Sequence, residues 1–449
     1  MSDPGQEMKA RAEEDGIEFY FAMFVDMHGK PCAKLIPAAS IDPVLEQGAG
    51  FAGFAAGPMG QDPSDPDLAA IPDPASYTPV PWQPGLAVVM CDPHVNGEPW
   101  PYAPRVILKR QLAELDERGL VLNTGVEAEY FLVRRTPTGI ELADPLDVAA
   151  KPCYDVKGLG RMYEHLTSVS TYLNQLGWGN YANDHEDANG QFEQNLTYAD
   201  ALTTADRLIF YRYMVHTLAH NAGMAATFMP KPFEHLTGNG LHVHTSLWSD
   251  GESLFSDDDD PRGLGLSAMA YHFMGGVLEH ATSLCALTCP TVNSYKRMGV
   301  GAPTSGATWA PAYATYGGNN RTVMLRVPEP GRFENRGVDG AANPYLALAG
   351  LLAAGLDGVD AGKDPGEPME ENLYTMDPAV LAARGIRSMP PTLSHAVDDL
   401  VGDRVLRRAL GEVRGGDYID YYAAVKREEF RQYHAIVSSW EVERYLTLF

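Results

Sequence analysis

The chain has 449 residues, 45% of them hydrophobic and 21% charged, with a formal net charge of −25 and a pI near 4.8. Those values describe an ordinary water-facing globular chain, long enough for two or three domains. They exclude a nucleic-acid backbone binder, which needs a basic footprint. No run approaches the ~20 apolar residues of a membrane-spanning helix. The polar start MSDPGQEMKARAEEDG lacks the apolar core of a secretory signal. No membrane partner is expected. Five cysteines (Cys32, Cys91, Cys153, Cys285, Cys289) form no CxxC pair, which suits reduced thiols in a cytoplasmic protein. Cys285 and Cys289, four apart, read as small apolar core residues.

In chain order, residues 17–37 predict two strands joined at the turn Met27-His28-Gly29-Lys30. Residues 57–85 are rich in Pro, Asp and Gly and predict an irregular surface segment. Leu86–Asp92 predicts another strand, completing a small, mostly β N-terminal domain over residues 1–100, with a second domain over 101–449. Pro104 then opens an amphipathic helix running to about Arg118. In the strand-like run Gly125–Leu132, Glu127 and Glu129 are two apart, so both carboxylates emerge on one face. Adjacent anions in apolar surroundings repel unless a cation sits between them.

Helices are predicted over 159–177, 203–223, 266–286, 343–358 and 417–436, and strands over 224–230 and 240–248. Asp257–Asp260 reads as a solvated acidic loop. Three segments carry further chemistry. Asp184-His185-Glu186 is followed by Glu193 in a polar, glycine-bearing stretch. The run Gly238-Asn239-Gly240-Leu241-His242-Val243-His244-Thr245-Ser246 puts two imidazoles and a hydroxyl on one strand face. Arg332, Glu334 and Arg336 alternate in the same way. Many carboxylates with one imidazole suit Mg²⁺ or Mn²⁺ better than Zn²⁺. Arginines beside them suit phosphate oxygens. Neither a P-loop nor a dinucleotide-binding glycine motif is present. The residues alone predict a metal-dependent enzyme of phosphorylated or carboxylated substrates.

The ordered segments GVEAEYFL, HEDANGQFE, ATFMPKPF, GNGLHVHTSLW, PTVNSYKR, NNRTVMLRVP, RFENR and AANPYLALAGLLAAGLDG resemble glutamine synthetase over most of the chain. The resemblance implies an α+β fold, with a small β-grasp-like N-terminal domain and a catalytic domain built on a curved antiparallel sheet with flanking helices. It implies a homo-oligomeric double ring, a dodecamer, with active sites between subunits. The reaction implied is ATP-driven phosphorylation of the L-glutamate γ-carboxylate, followed by attack of a nitrogen nucleophile.

Position by position, the resemblance puts one metal on Glu129, Glu186 and Glu193 and the other on Glu127, His242 and Glu334. It puts His244, Ser246 and Tyr198 at the nucleotide, and Arg321 and Arg326 at its phosphates. Arg297, Arg336 and Gly238 fall at glutamate, and Arg332 near the transferred phosphoryl group.

Four positions depart from the family, one of them a serine of its FDGSS segment that is Ala55 here. An aspartate in the family's FDGSS segment, contributed by the neighbouring subunit, is Ala52 here. The flap glutamate is Trp309, within Ala307-Thr308-Trp309, and the glutamate-binding asparagine is Thr237. A less anionic, more aromatic nitrogen pocket disfavours ammonium and favours an alkylammonium, through methyl contact and a cation–π face. The pattern resembles the family branch that makes γ-glutamylmethylamide, with methylamine the simplest acceptor.

Glu186, Tyr154 and Asp67 are the candidates for handling the amine's proton, and Tyr374 matches a tyrosine that some relatives adenylylate. The rival readings are glutamine synthesis, a glutamate–polyamine ligase, a non-catalytic structural oligomer of the same fold, and a metal-dependent amidohydrolase.

Overall fold

A computed structural model describes residues 3–298 and 309–449. After helix α1 (Pro4–Glu14), the chain enters a sheet formed by β1 (Phe19–Val25), β2 (Pro31–Pro37), β3 (Ala49–Phe51), β4 (Leu68–Pro72) and β5 (Leu86–Val95) in the order β2-β1-β5-β4-β3. The β1–β2 hairpin turns where the sequence predicts it. The central β1–β5 pair is parallel. The segment 57–85 is less irregular than its composition predicts. It holds β4, whose Leu68, Ala70 and Pro72 are buried between β3 and β5. Alternation inside β4 outweighs the proline and aspartate around it.

Both faces of this small sheet are covered. Met23, Val25, Val88 and Met90 face the main core, while Ala22, Phe24, Ala87, Val89 and Cys91 face smaller clusters beneath α1 and β4. The main core continues without interruption into α2 (Pro104–Asp116), through Ile107 and Leu108. Arg105 at the start of α2 is buried. It binds Asp92 of β5 (2.6 Å), Asp73 (3.0 Å) and Asp206 (2.9 Å), and Tyr345 also donates to Asp206. That network fastens the small sheet to the helices behind the large one.

The large sheet is built on β6 (Val121–Ala128), β7 (Tyr130–Thr136), β8 (Asn180–His185), β9 (Gln191–Leu196), β10 (Ala225–Thr227), β11 (Leu241–Ser249), β12 (Leu325–Arg326) and β13 (Phe333–Asn335). Its central order is β7-β9-β6-β11-β13-β12, and those pairs are antiparallel. The predicted single strand through residues 125–132 breaks at Glu129, whose N–H donates to Gly240.

Helices α3 (Tyr163–Gln175), α4 (Ala201–Asn221), α5 (Ala268–Glu279), α6 (Ala281–Thr288) and α7 (Pro344–Ala361) flank the sheet. The predicted helix 266–286 is two, divided at His280. α5 and α7 cross closely, because a Cβ on Gly276 would lie 2.0 Å from the Ala354 carbonyl oxygen and one on Gly358 2.1 Å from that of His272. Asn343 caps α7, with Pro344 at its first position and Gly362 closing it in the left-handed region. The C-terminal part adds α8 (Leu393–Gly402), α9 (Arg404–Leu410), α10 (Tyr418–His434) and α11 (Ser439–Tyr445), of which only α10 is predicted from sequence. Among the described residues no helix is long and apolar enough to cross a membrane.

Candidate active site

Register alone assembles the centre of the site. On the β6–β11 ladder Glu127 lies opposite His242, and on β11–β13 His244 lies opposite Glu334; Arg326 of β12 faces Glu334 in turn. His242 and His244 are two apart, so all these side chains share one face. His242 Nδ1 is 3.4 Å from Glu127 and 3.3 Å from Glu334, while its Nε2 is 3.7 Å from Glu129. Potential ligand atoms of Glu127, His242 and Glu334 all lie within 4.8 Å of one another, and so do those of Glu129, Glu193 and His242. Glu186 lines the same cleft but stands outside the second close group, where His242 takes its place.

The electrostatics favour a cation. Burial, and then Glu129 and Asp184, push Glu186 up to about 8. Burial together with Glu186, Glu127 and Glu129 raises Glu193 well above the usual carboxylate range. Acids so close cannot all ionise without positive charge among them. Glu127 is held low: burial opposes this, but hydrogen bonds from His242 and His244 prevail. Glu334 falls to about 2, because the charges of Arg336 and His242 outweigh its burial. Glu129 Oε2 accepts from Gly240 N–H (2.7 Å) and from Gln191 (2.9 Å), which aims its other oxygen at His242. A Cβ on Gly240 would sit 2.8 Å from His242 Nε2 and 2.9 Å from Arg297 Nη2, so glycine is required there. Oxygen donors with one shared imidazole fit two Mg²⁺ or Mn²⁺ ions.

Two cavities meet at Glu127, of about 520 Å³ and about 440 Å³, each the size of a ligand site. The inner one is lined by the acids together with Tyr154, Thr237, Gly238, Arg297, Trp309, Arg321, Arg326 and Arg336. Arg297 and Arg336 are buried, yet Arg297 Nη1 and Arg336 Nε have no hydrogen-bond partner among the described residues. Orphaned cationic donors await an anion. Arg336 also donates to Glu334 (2.5 Å) and Arg326 to the same carboxylate (2.8 Å).

The outer cavity holds His244, Ser246, Tyr198, Trp248 and Arg332. Tyr198 lies over Trp248 with centroids 5.9 Å apart, and Trp248 Nε1 donates to Ser246 Oγ (2.8 Å). Arg332 bonds Glu329 (2.8 Å) and touches His244 Nδ1, so it belongs with this group, while Arg321 and Arg326 line the inner cleft.

Ala52 lines neither cavity; it precedes a short helix of the small sheet. Asp67 is exposed in the same part of the molecule, while Ala307 and Thr308 lie outside the described residues. Tyr374 donates its hydroxyl to the Ala310 carbonyl at 2.9 Å, beside Trp309.

Sequence reasoning missed Asp187. Its carboxylate accepts from Thr237 Oγ1 (3.3 Å) and lies within reach of the Trp309 side chain, so two of the departures from the family meet at one acid. Burial, and then Glu129, raise its pKa against that hydrogen bond. Its place next to Glu186 in HEDANGQFE is the only sequence trace of this role. Trp309 and Tyr154 both have φ in the left-handed region, 45° and 64°. For bulky residues that is strain of the kind stored at functional sites.

The family description "Glutamine synthetase, catalytic domain" matches residues 101–445. The chain is 46% identical over 438 residues to the "Glutamate--methylamine ligase" of Methyloversatilis universalis, covering 97% of this chain and 98% of that one. It is 43% identical to a "Glutamine synthetase" of Rhizobium meliloti over 96% of this chain and 97% of that one. Among solved structures, "GmaS/ADP complex-Conformation 1" superposes with a TM-score of 0.92 at 46% identity, over 99% of this chain and all (100%) of the other.

Proposed function

The chain belongs to the glutamine synthetase family, and we propose that it is an ATP-dependent ligase joining the γ-carboxylate of L-glutamate to a primary amine, methylamine first among them. The observation that carries the amine is the meeting of Trp309 and Thr237 on Asp187 at the wall of the inner cleft. An indole face beside a carboxylate suits an alkylammonium, whose charge needs the acid and whose methyl group needs the ring.

In this reading ATP enters the outer cavity against Tyr198, His244 and Ser246, with its γ-phosphoryl group directed to the inner cleft near Glu127. The unpaired nitrogens of Arg297 and Arg336 take the carboxylate of glutamate. Arg321, Arg326 and Arg332 neutralise charge on the transferred phosphoryl group. Glu127, Glu129, Glu193, His242 and Glu334, with Glu186 beside them, would hold two divalent cations, which supply charge neutralisation and in-line alignment. The γ-glutamyl phosphate is then attacked by the amine. Asp187 draws the alkylammonium in, and Asp187 or Glu186 accepts its proton.

Several exposed apolar residues follow α10, among them Val437, Trp440, Leu446, Leu448 and Phe449. A surface of this kind supports a ring assembly in which neighbouring subunits cover it and bring Ala52 to the next subunit's amine pocket. Light scattering should then give twelve subunits. On this reading the enzyme works in the cytoplasm.

The deciding experiment is phosphate release with glutamate, MgATP and a panel of amines at matched concentration. Methylamine should exceed ammonium and larger amines. Ammonium exceeding methylamine would return the chain to glutamine synthesis, and release that depends on polyamines would widen the pocket. Hydrolysis of γ-glutamyl amides without nucleotide would favour an amidohydrolase.

A further inference from the structure

Three sulfurs outside the chemistry above meet behind the inner cleft. Cys285 and Cys289 stand one turn apart on α6 and at its C-cap, both fully buried. Met298, half-buried in the turn that follows, brings its Sδ to 3.3 Å from Cys289 Sγ and 3.8 Å from Cys285 Sγ. Cys289 Sγ also donates to the Gly337 carbonyl at 3.1 Å.

We propose that Cys285, Cys289 and Met298 form a binding site for a soft monovalent metal ion of the Cu(I) class, placed directly behind the two arginines that hold glutamate. Thiolate and thioether donors select such ions over the hard cations of the cleft. Metal–sulfur bonds of about 2.3 Å in a three-coordinate arrangement put the sulfurs about 4.0 Å apart. The 3.8 Å pair already fits. The 3.3 Å pair must open by about 0.7 Å, which the three rotatable bonds of Met298 allow. Met298 is also the part-exposed member, so entry is from its side.

Uptake of Cu(I) by the two thiols releases two protons and leaves a complex of charge −1. Arg297 faces Cys289 and offsets that charge, while Asp339, also beside Cys289, opposes it.

The position gives the site a consequence. Met298 follows Arg297, Gly337 follows Arg336, and Arg297 Nη2 donates to the Arg336 carbonyl at 3.3 Å. Loss of the Cys289 proton removes its hydrogen bond to the Gly337 carbonyl and frees the backbone next to Arg336, so the bound ion weakens glutamate binding while leaving the outer cavity alone. This coupling rests on the ligase reading; the binding itself does not.

The test is a titration of the whole protein with Cu(I) buffered by a chromophoric chelator, followed by phosphate-release kinetics with and without one equivalent. The expected result is one equivalent bound, with affinity reduced about tenfold or more in M298L and in C289S. The KM for glutamate should rise with the ion present while the KM for ATP stays put, and M298L should abolish that rise. M298L conserves volume and keeps the protein testable if C289S does not fold. Cys153 lines the inner cleft and is the competing thiol, so C153S is the control. Binding lost in C153S but kept in M298L and C289S would overturn the assignment. A KM for glutamate unmoved by a bound equivalent would overturn the coupling alone.

Discussion

Trp309 lines the inner cleft, where the proposed amine pocket lies. Its indole is near the Asp187 carboxylate, and its own carbonyl accepts from Arg336 Nη2 at 3.3 Å. Trp309→Glu should move the ratio of ammonium to methylamine turnover about fivefold toward ammonium, since a cation–π contact is worth ~1 kcal/mol. Paired amine kinetics measure that ratio, and an unchanged one would remove Trp309 as the selector. Asp187→Asn should lower methylamine turnover by about a hundredfold at saturating amine, while fluorescence titration shows ATP binding unaltered, because Asp187 lies outside the outer cavity. Trp309 was legible in the chain because its distance from Arg321 fixes its place in the flap. Asp187 was not: its partners, Thr237 and Trp309, are 50 and more residues away, and only the fold brings them together. The place of Glu186, in the cleft but outside the close group around His242, is a related case. Carboxylate count is visible in a sequence, but which side chain reaches the shared imidazole depends on the break at Glu129.

Strands carrying the site were readable as elements, because alternation puts Glu127, His242, His244 and Glu334 on one face once their strands are neighbours. Short helices near the C-terminus were not. α8 and α9 owe their caps to Thr392 and Asp403, and α9 has only seven residues, too short for a periodic pattern to stand out. Asp260 also escaped the reading of its loop as solvated: it accepts from Leu264 N–H, Leu266 N–H and the Tyr271 hydroxyl.

The α5–α7 contact depends on glycine. Gly358→Ala would drive a methyl group into the His272 carbonyl, so a loss of about 3 kcal/mol by denaturant unfolding is expected. Where α5 meets α6, His280 binds Asp403 at the start of α9 (2.6 Å) and Asp357 (3.3 Å). Burial lowers the His280 pKa, but these carboxylates outweigh it and raise it overall. The folded-state pKa exceeds the unfolded one, so the stabilisation is complete below about pH 6.5 and fades as pH rises through the folded value. Asp403 is held low, against burial, by His280, and its share is lost only in acid, as pH falls through its depressed value. Thermal melts of His280→Gln should therefore show their largest deficit between about pH 5 and 6.5, shrinking in alkali. A deficit independent of pH would show that the pair acts by packing alone.

At the scale of the molecule, one hydrophobic core runs from the small sheet through α2 and α7 to the helices behind the large sheet. The site opposes that stability by burying Glu193, Glu186 and their neighbours at short range. Cations relieve this repulsion, so Mg²⁺ or Mn²⁺ at a hundred times its dissociation constant should add about 2.7 kcal/mol of stability per bound ion, and a chelator should remove it. Melting with and without chelator checks it, and Glu127→Gln should blunt the response. In the proposed reaction a phosphoryl group passes from ATP to the glutamate side chain before nitrogen arrives. The direct measurement uses L-glutamate labelled with ¹⁸O in its γ-carboxylate, with MgATP and methylamine, and mass analysis of the phosphate. One labelled oxygen in each phosphate, released in step with γ-glutamylmethylamide, is the predicted result; unlabelled phosphate, or release indifferent to methylamine, would contradict it.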